Sequence, residues 1–354
     1  MDDRYARQEA LPGFGAVGQQ RLRDARVLVI GAGGLGSTVI QALAAAGVGT
    51  LAIIDDDVVE LSNLHRQHVH GVSDLGRTKV ASAADSVAAL NPAITVNVLY
   101  ERLTAANALE LFANYDLVVD GSDNFPTRYL ANDAAALTGI PLVWGAVSQY
   151  GGQISVAWAA RGPHYRDLFP TPPTPGSFLT CADGGVLPTT VGVIGSLMAT
   201  ETIKILAEIG TPALGTVTTF DALTGAFRQV SYQRDPEGEP ITELIDYDLF
   251  CSLAPSLSAA ELATFEGDFT LLDVREPWEV EIVKLDAAVL IPLGQLESSL
   301  DQLDRAKPVV VYCHHGVRSE AARALLSENG FTASHLAGGI DAWSRIVDNA
   351  MARY

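Results

Sequence analysis

The sequence predicts an α/β protein: a doubly wound parallel sheet with an antiparallel extension, followed by a second, smaller α/β domain. Three observations lead there. Apolar strand-like runs alternate with helix-length segments from 26 to 145. A glycine turn, Gly31-Ala32-Gly33-Gly34-Leu35-Gly36, follows the first of those strands. An acidic, turn-rich stretch over 233–268 then separates this region from a second strand, loop and helix.

A chain of 354 residues is too long for one ordinary core. Its 48% hydrophobic content fits strands buried on both faces, which are apolar throughout. No apolar run approaches the roughly 18 residues of a membrane span, and Met1-Asp2-Asp3 lacks the basic start of a secretory leader. A cytoplasmic protein without a membrane partner is expected. The 23 basic residues against 42 acidic give a net charge of −19, which argues against a nucleic-acid surface. Three cysteines, at 181, 251 and 313, are too few and too scattered for a disulfide framework.

Taken in order, residues 4–24 read as a leading helix or arm, with Arg7 exposed near the terminus. The strand 26–30 enters the glycine turn. Gly31 suits the tight turn, Gly33 a close approach of backbone to phosphate, and Gly36 the packing of helix 35–46 on the strand. Phosphate is then expected at a helix N-terminus, with Gly34 beside it. The next strand, 51–55, ends in Asp55, 19 residues after Gly36, where a carboxylate binds ribose hydroxyls. These features alone also fit a nicotinamide-dependent oxidoreductase.

The segment after Asp55 points elsewhere. Ser62, Asn63, Arg66 and then Lys79 put two cations beside the phosphate position, as breaking a triphosphate requires. Further alternation follows: helix 76–90, strand 94–99, helix 105–113, strand 117–120, helix 126–138 and strand 141–144. Asp123 and Asn124 follow the fourth strand, and the Asp123 carboxylate suits Mg²⁺. His65, His68 and His70 do not gather on one helical face and read as ordinary polar residues.

Residues 146–160 and 214–232 read as antiparallel strands that offer a face for a partner, with a buried helix over 190–209 between them. The Pro- and Gly-rich stretch 161–188 holds Cys181, which is either a small buried hydrophobe or a reactive thiol on a mobile lid. A linker is placed at 236–256, where Cys251 reads as structural. From about 257 the pattern restarts, with strands read in 269–277 and 308–312. The second leads into Cys313-His314-His315-Gly316-Val317-Arg318-Ser319 and helix 319–328. Such a loop cradles an anionic sulfur, because its amides, the helix dipole and Arg318 all favour a thiolate or persulfide. Four residues separate Cys313 from Arg318; phosphatase loops of related shape need one more, so sulfur is favoured over phosphate.

Two resemblances follow from these motifs. Arg4-Tyr5-Ala6-Arg7-Gln8, GAGGLGS at 31–37, DDDVVELSNLHRQ at 55–67, Lys79 and GSDN at 121–124 together resemble the ubiquitin-activating-like adenylyltransferases of the MoeB and ThiF type, over residues 1–235. The resemblance implies adenylation, from ATP and Mg²⁺, of the C-terminal Gly-Gly carboxylate of a ubiquitin-like sulfur carrier of the MoaD or ThiS type. It implies that Gly34 and Asp55 hold the nucleotide, that Asn63, Arg66 and Lys79 bind phosphates, and that Arg7 reaches the triphosphate from the partner subunit of a homodimer. It implies that Asp123 binds Mg²⁺ and that Cys181, in its LTCADGGV setting, captures the activated carrier. Relatives often hold a structural zinc through two CxxC pairs. Here His164-Tyr165-Arg166-Asp167 stands where the first pair would be, and 233–245 contains no cysteine, so no zinc is expected.

DVREP at 273–277, CHHGVRS at 313–319 and HLAGGIDAW at 335–343 resemble a rhodanese domain over 257–347, with Cys313 as the persulfide carrier. The two resemblances imply transfer of sulfur from Cys313 to the adenylated carrier. The donor is thiosulfate or a desulfurase persulfide, and reduction, with Cys181 as one candidate, releases a thiocarboxylate. The carrier's pathway is open among molybdopterin, thiamine, cysteine and tRNA thiolation. Two rivals stand beside this reading: the oxidoreductase, and a sulfur-transfer scaffold whose adenylation half is inactive.

Overall fold

The computed structural model describes residues 3–172, 185–238, 240–252, 256–265 and 267–354. They form two units, one built from residues 3–171 and 185–247, the other mainly from 248–354. Cys181 lies outside the described residues.

The first unit is organised by an eight-stranded sheet. Its strands are β1 (Arg26–Ile30), β2 (Thr50–Ile54), β3 (Thr95–Leu99), β4 (Leu117–Asp120), β5 (Leu142–Ser148), β6 (Gly151–Ala157), β7 (Thr216–Asp221) and β8 (Ala226–Ser231), in the order β3-β2-β1-β4-β5-β6-β7-β8. The first five pair in parallel, with Arg26 opposite Thr50 and Val27 opposite Leu117. The strand order reverses between β1 and β4, which opens a crevice at their carboxyl ends. The last three pair antiparallel.

The sequence places one strand at 141–144 and another at 146–160. Instead β5 runs through Ser148, and Gln149, in the left-handed region at φ 50°, turns the chain into β6 so that Ser148 faces Gly151. One strand is thus parallel to β4 and antiparallel to β6. Helix 105–113 is shorter than expected, only Ala108–Phe112.

Two long helices share one face of this sheet. They are α1 (Gly34–Ala46) and α2 (Pro188–Ala207), which pack on each other and fill the core with Val27, Val29, Ile194 and Met198. The approach is close because glycines sit beneath α2. A Cβ at Gly145 would lie 2.4 Å from Met198 Sδ, and one at Gly152 would lie 2.4 Å from Ile194 Cγ1. By length and composition α2 is apolar enough to cross a membrane, as no other described helix is, yet half of it is buried in this core.

The second unit carries five parallel strands, β9 (Ser256–Leu257), β10 (Thr270–Asp273), β11 (Val289–Leu290), β12 (Val309–Tyr312) and β13 (Ala333–Leu336), ordered β11-β10-β12-β13-β9. β12 is buried throughout. Val309 and Val311 face one apolar cluster with Cys313, while Val310 and Tyr312 face another, the two-residue alternation of a central strand. Helix α3 (Val317–Glu328) begins two residues before the sequence places it, and α4 (Gly339–Ile346) follows β13.

Candidate active sites

In the first unit the glycine turn is shaped by contacts that exclude side chains. Gly31 has φ +85°, and a Cβ at Gly36 would stand 1.8 Å from the Gly31 carbonyl oxygen, so both the turn and its closure need glycine. Gly33 is the N-cap of α1. It supplies no side-chain cap, and the first turn of α1 carries no acidic residue. The amides at this helix end are therefore left for an anion. Arg66 lies over them: its Cγ and Cδ would be 3.7 and 3.8 Å from a Cβ at Gly34.

The short helix Leu61–Asn63 presents Ser62 and Asn63. Asn63 Oδ1 accepts from the Glu60 amide at 3.1 Å, and Arg66 Nη1 donates to the Ser62 carbonyl at 3.1 Å and lies 2.8 Å from His65 Nε2. Burial and the neighbouring Arg66 guanidinium push the His65 ring below its ordinary value. Asp55 closes the turn from the β2 side. One oxygen accepts from the Ala32 amide and the other from Asp57, both at 2.8 Å. Burial raises the Asp55 carboxyl, while Lys79 opposes the rise. Lys79 heads the helix Lys79–Leu90. Its side chain is 8% exposed and its ammonium sits 2.6 Å from Asp57 Oδ2.

Asp123 and Asn124 lie in the loop after β4 and are exposed. Asn124 caps helix Phe125–Thr138 by accepting from Thr127 N at 2.9 Å. Asp123 has no hydrogen-bonded partner among the described residues. Below it Asp120 is buried; one oxygen accepts from Ser122 N at 2.9 Å and the other has no partner. Burial raises this carboxyl, against the field of Arg128. A buried orphan oxygen and a free carboxylate on one loop are hard donors that suit a divalent cation such as Mg²⁺.

Arg7 is elsewhere. It is exposed on the one-turn helix Ala6–Glu9. That segment is tied to the far end of α1, since Gln8 Nε2 donates to the Ala46 carbonyl at 3.0 Å and the Tyr5 ring fills the space below Gly47.

Sequence reasoning gave no role to four groups at the turn. They are Asp57; Asp120; Gln67, buried beside Gly33; and His70, whose Nε2 lies 2.9 Å from the Ala32 carbonyl and whose Nδ1 lies 2.8 Å from Ser82 Oγ. The carbonyl can only accept, so Nε2 carries the hydrogen. Asp57 carried a usable signal: in an extended run it shares a side with Asp55.

The residues at 164–167 have other partners. Asp167 accepts from the amides of His164 at 2.6 Å and Asp235 at 2.9 Å, and His164 Nδ1 accepts from Arg166 N at 3.2 Å. Arg166 pairs with buried Asp133 through two bonds, of 2.8 and 2.6 Å, and Tyr247 donates to the same carboxylate at 2.7 Å.

In the second unit Cys313 leaves β12 and is buried, its Sγ accepting from Gly316 N at 3.1 Å. Gly316, at φ +99°, turns the loop into the N-terminus of α3. The α4 start closes it, with Ile340 N donating to the Cys313 carbonyl and Asp341 N to that of His314. Arg318 forks onto Glu279 at 2.6 and 2.7 Å, and these bonds, with one from the Glu276 amide, hold the Glu279 carboxyl at about 2. The hydrogen bonds to Glu279 in turn push the Arg318 guanidinium above its ordinary value, against its partial burial.

Fold and sites define a two-part protein, a nucleotide-binding doubly wound unit and a small unit built around a cysteine loop. The chain belongs to the ThiF family, which it matches over residues 5–240, and it carries a rhodanese-like domain over 258–346. It is 45% identical to the probable adenylyltransferase/sulfurtransferase MoeZ of Mycobacterium tuberculosis, over 99% of this chain and 95% of the relative. It is 49% identical to a sulfur carrier protein adenylyltransferase of Thermus thermophilus, over 71% and 97% respectively. The crystal structure of E. coli MccB with ATP shares the fold, at a TM-score of 0.60 and 20% identity over 67% of this chain and 73% of that one.

Proposed function

We propose that this cytoplasmic chain activates a ubiquitin-like sulfur carrier in two steps, with residues 1–235 adenylating, 236–256 tethering and 257–354 delivering sulfur. The observation that carries the first step is the uncapped N-terminus of α1 with Arg66 over it and Lys79 beside Asp55. ATP binds with its phosphates on those amides, its ribose toward Asp55 and its charge met by Arg66 and Lys79, with Asn63 and Ser62 alongside. Mg²⁺ suits Asp123, with Asn124 and the free oxygen of Asp120 near, and would neutralise charge on the phosphates when bound. The carrier's terminal carboxylate attacks the α-phosphorus, the bond to the β-phosphate oxygen breaks, and pyrophosphate leaves.

Arg7 serves a second copy of the chain. It is anchored at the opposite end of the 13-residue α1 from the glycine turn, roughly 20 Å away at 1.5 Å per residue. That distance favours action across a homodimer over action in its own subunit.

In the second step a Cys313 persulfide, charged by thiosulfate or a desulfurase, attacks the adenylated carbonyl. AMP leaves, and the carrier is joined to Cys313 as an acyl disulfide. Attack by a thiol on the Cys313 sulfur releases the carrier thiocarboxylate and leaves a disulfide for cellular thiols to reduce. Cys181 is the candidate within the chain. Joining both activities in one chain raises the sulfur donor's effective concentration at the adenylate.

Intact-mass analysis tests the whole. A Gly-Gly-ending carrier incubated with the protein, MgATP and thiosulfate, then reductant, is expected to exchange one oxygen for sulfur. Absence of ATP–pyrophosphate exchange across a panel of such carriers would refute the adenylation half and leave the scaffold reading.

A further inference from the structure

The sulfur loop is held by a residue far along the chain that no motif includes. Tyr354 stacks its ring on His314, with centroids 4.1 Å apart and planes 23° apart, and His314 stacks in turn on His315 at 3.9 Å. Trp278 meets the Tyr354 ring edge-on at 6.1 Å. The hydroxyl joins two buried charges. It accepts from Arg275 Nη1 at 2.8 Å and donates to Glu279 Oε1 at 2.9 Å. Arg275 is itself fixed by Asp273 at 2.6 Å, and Glu279 holds both arms of Arg318. A continuous chain thus runs from the end of β10 through Arg275, Tyr354 and Glu279 to Arg318, while the ring of the same tyrosine presses on the residue next to Cys313.

We propose that Tyr354 is a positioning residue for sulfur transfer: its ring sets the His314 side of the Cys313 loop and its hydroxyl sets the Glu279–Arg318 pair on the other, fixing the cationic rim that receives an anionic sulfur donor. The inference rests on the sulfurtransferase reading above. In that step the Cys313 thiolate attacks the outer sulfur of thiosulfate, the sulfur–sulfur bond breaks, and sulfite leaves with the electron pair as the persulfide forms. A dianionic donor must be met by positive charge before that bond can break. The rim decides how tightly it is met, so disturbing the rim acts on donor binding more than on the later transfer to an acceptor.

The test uses the full-length protein with thiosulfate as donor and cyanide as acceptor. Tyr354→Ala, which loses ring and hydroxyl, is expected to raise KM for thiosulfate about tenfold with kcat within about threefold. Tyr354→Phe keeps the stack and loses the hydroxyl, and its KM is expected to lie between those of wild type and Tyr354→Ala. In a His314→Ala background the further effect of Tyr354→Ala is expected to shrink, because the stack is already gone. Thermal melting and carrier-dependent pyrophosphate exchange control for folding. An active wild type with Tyr354→Ala unchanged in KM, or with kcat lost and KM unmoved, overturns the positioning role alone. A wild type whose cyanide activity is absent, or survives Cys313→Ala, overturns the sulfurtransferase reading and this proposal with it.

Discussion

Replacing Lys79 by Met separates chemistry from folding more sharply than any other substitution in the first unit. The methionine keeps an unbranched, buried stem in place of a side chain that is only 8% exposed, and removes its charge. What is lost in the unliganded protein is an ion pair to Asp57, whose side chain is 67% exposed. An acceptor so open to water contributes at most about 1 kcal/mol, and relieving the burial of an ammonium offsets part of that. The melting temperature should therefore move by no more than about 4 °C. In the proposed adenylation the same charge would face the developing pyrophosphate, where one well-placed donor is worth about 3–4 kcal/mol, or roughly 10²–10³ in rate. Carrier-dependent ATP–pyrophosphate exchange should fall by that factor while the melt barely moves. Exchange within threefold of wild type would refute the assignment of Lys79 to the phosphates. A loss of stability well above 1 kcal/mol would show that the Asp57 pair is structural after all.

Three further outcomes are expected. Arg7→Ala mixed in equal amounts with Asp123→Ala should regain about a quarter of the wild-type exchange rate, since half the dimers then hold one intact site; no recovery would remove Arg7 from the partner's site. Cys313→Ala should leave exchange within about twofold and abolish thiocarboxylate formation, read by carrier mass. Glu279 has an ordinary carboxyl value of 4.5 and is held at about 2 in the fold, so its contribution is present above pH 4.5 and is lost as the pH falls toward 2. Glu279→Gln should therefore flatten the acid side of the melting profile and cost roughly 1–2 kcal/mol at neutral pH.

How much of this was legible in the sequence depended on whether neighbours in space were neighbours in the chain. The glycine turn, Asp55 at the end of β2 and Cys313 after β12 are local, and periodicity and spacing found them. β9 and β11, at two residues each, have too few positions for a pattern. The break at Gln149 was hidden because the residues on both sides of it are strand-like. His70 was passed over because its partner Ala32 lies 38 positions away, and Asp120 because it is its burial, not its local bond to Ser122, that sets it apart. Tyr354 is separated from Glu279 by 75 positions, and no reading of a window could join them. The linker was read from charge and turn residues, yet Tyr247 within it is drawn onto Asp133 by a hydroxyl that composition does not reveal.

Gly339 carries a lesson for anyone who randomises this protein and reads importance from what survives. It touches no sulfur, yet a single methyl group there would sit 2.3 Å from the His314 carbonyl oxygen and 2.4 Å from that of Cys313, at a φ of +61°. A survey of every substitution should find position 339 as intolerant as 313, while the exposed 315 accepts exchange far more freely. Intolerance at 339 would then record the shape of an oxygen-lined corner, and ranking residues by tolerance alone would count a piece of scaffolding among the reagents.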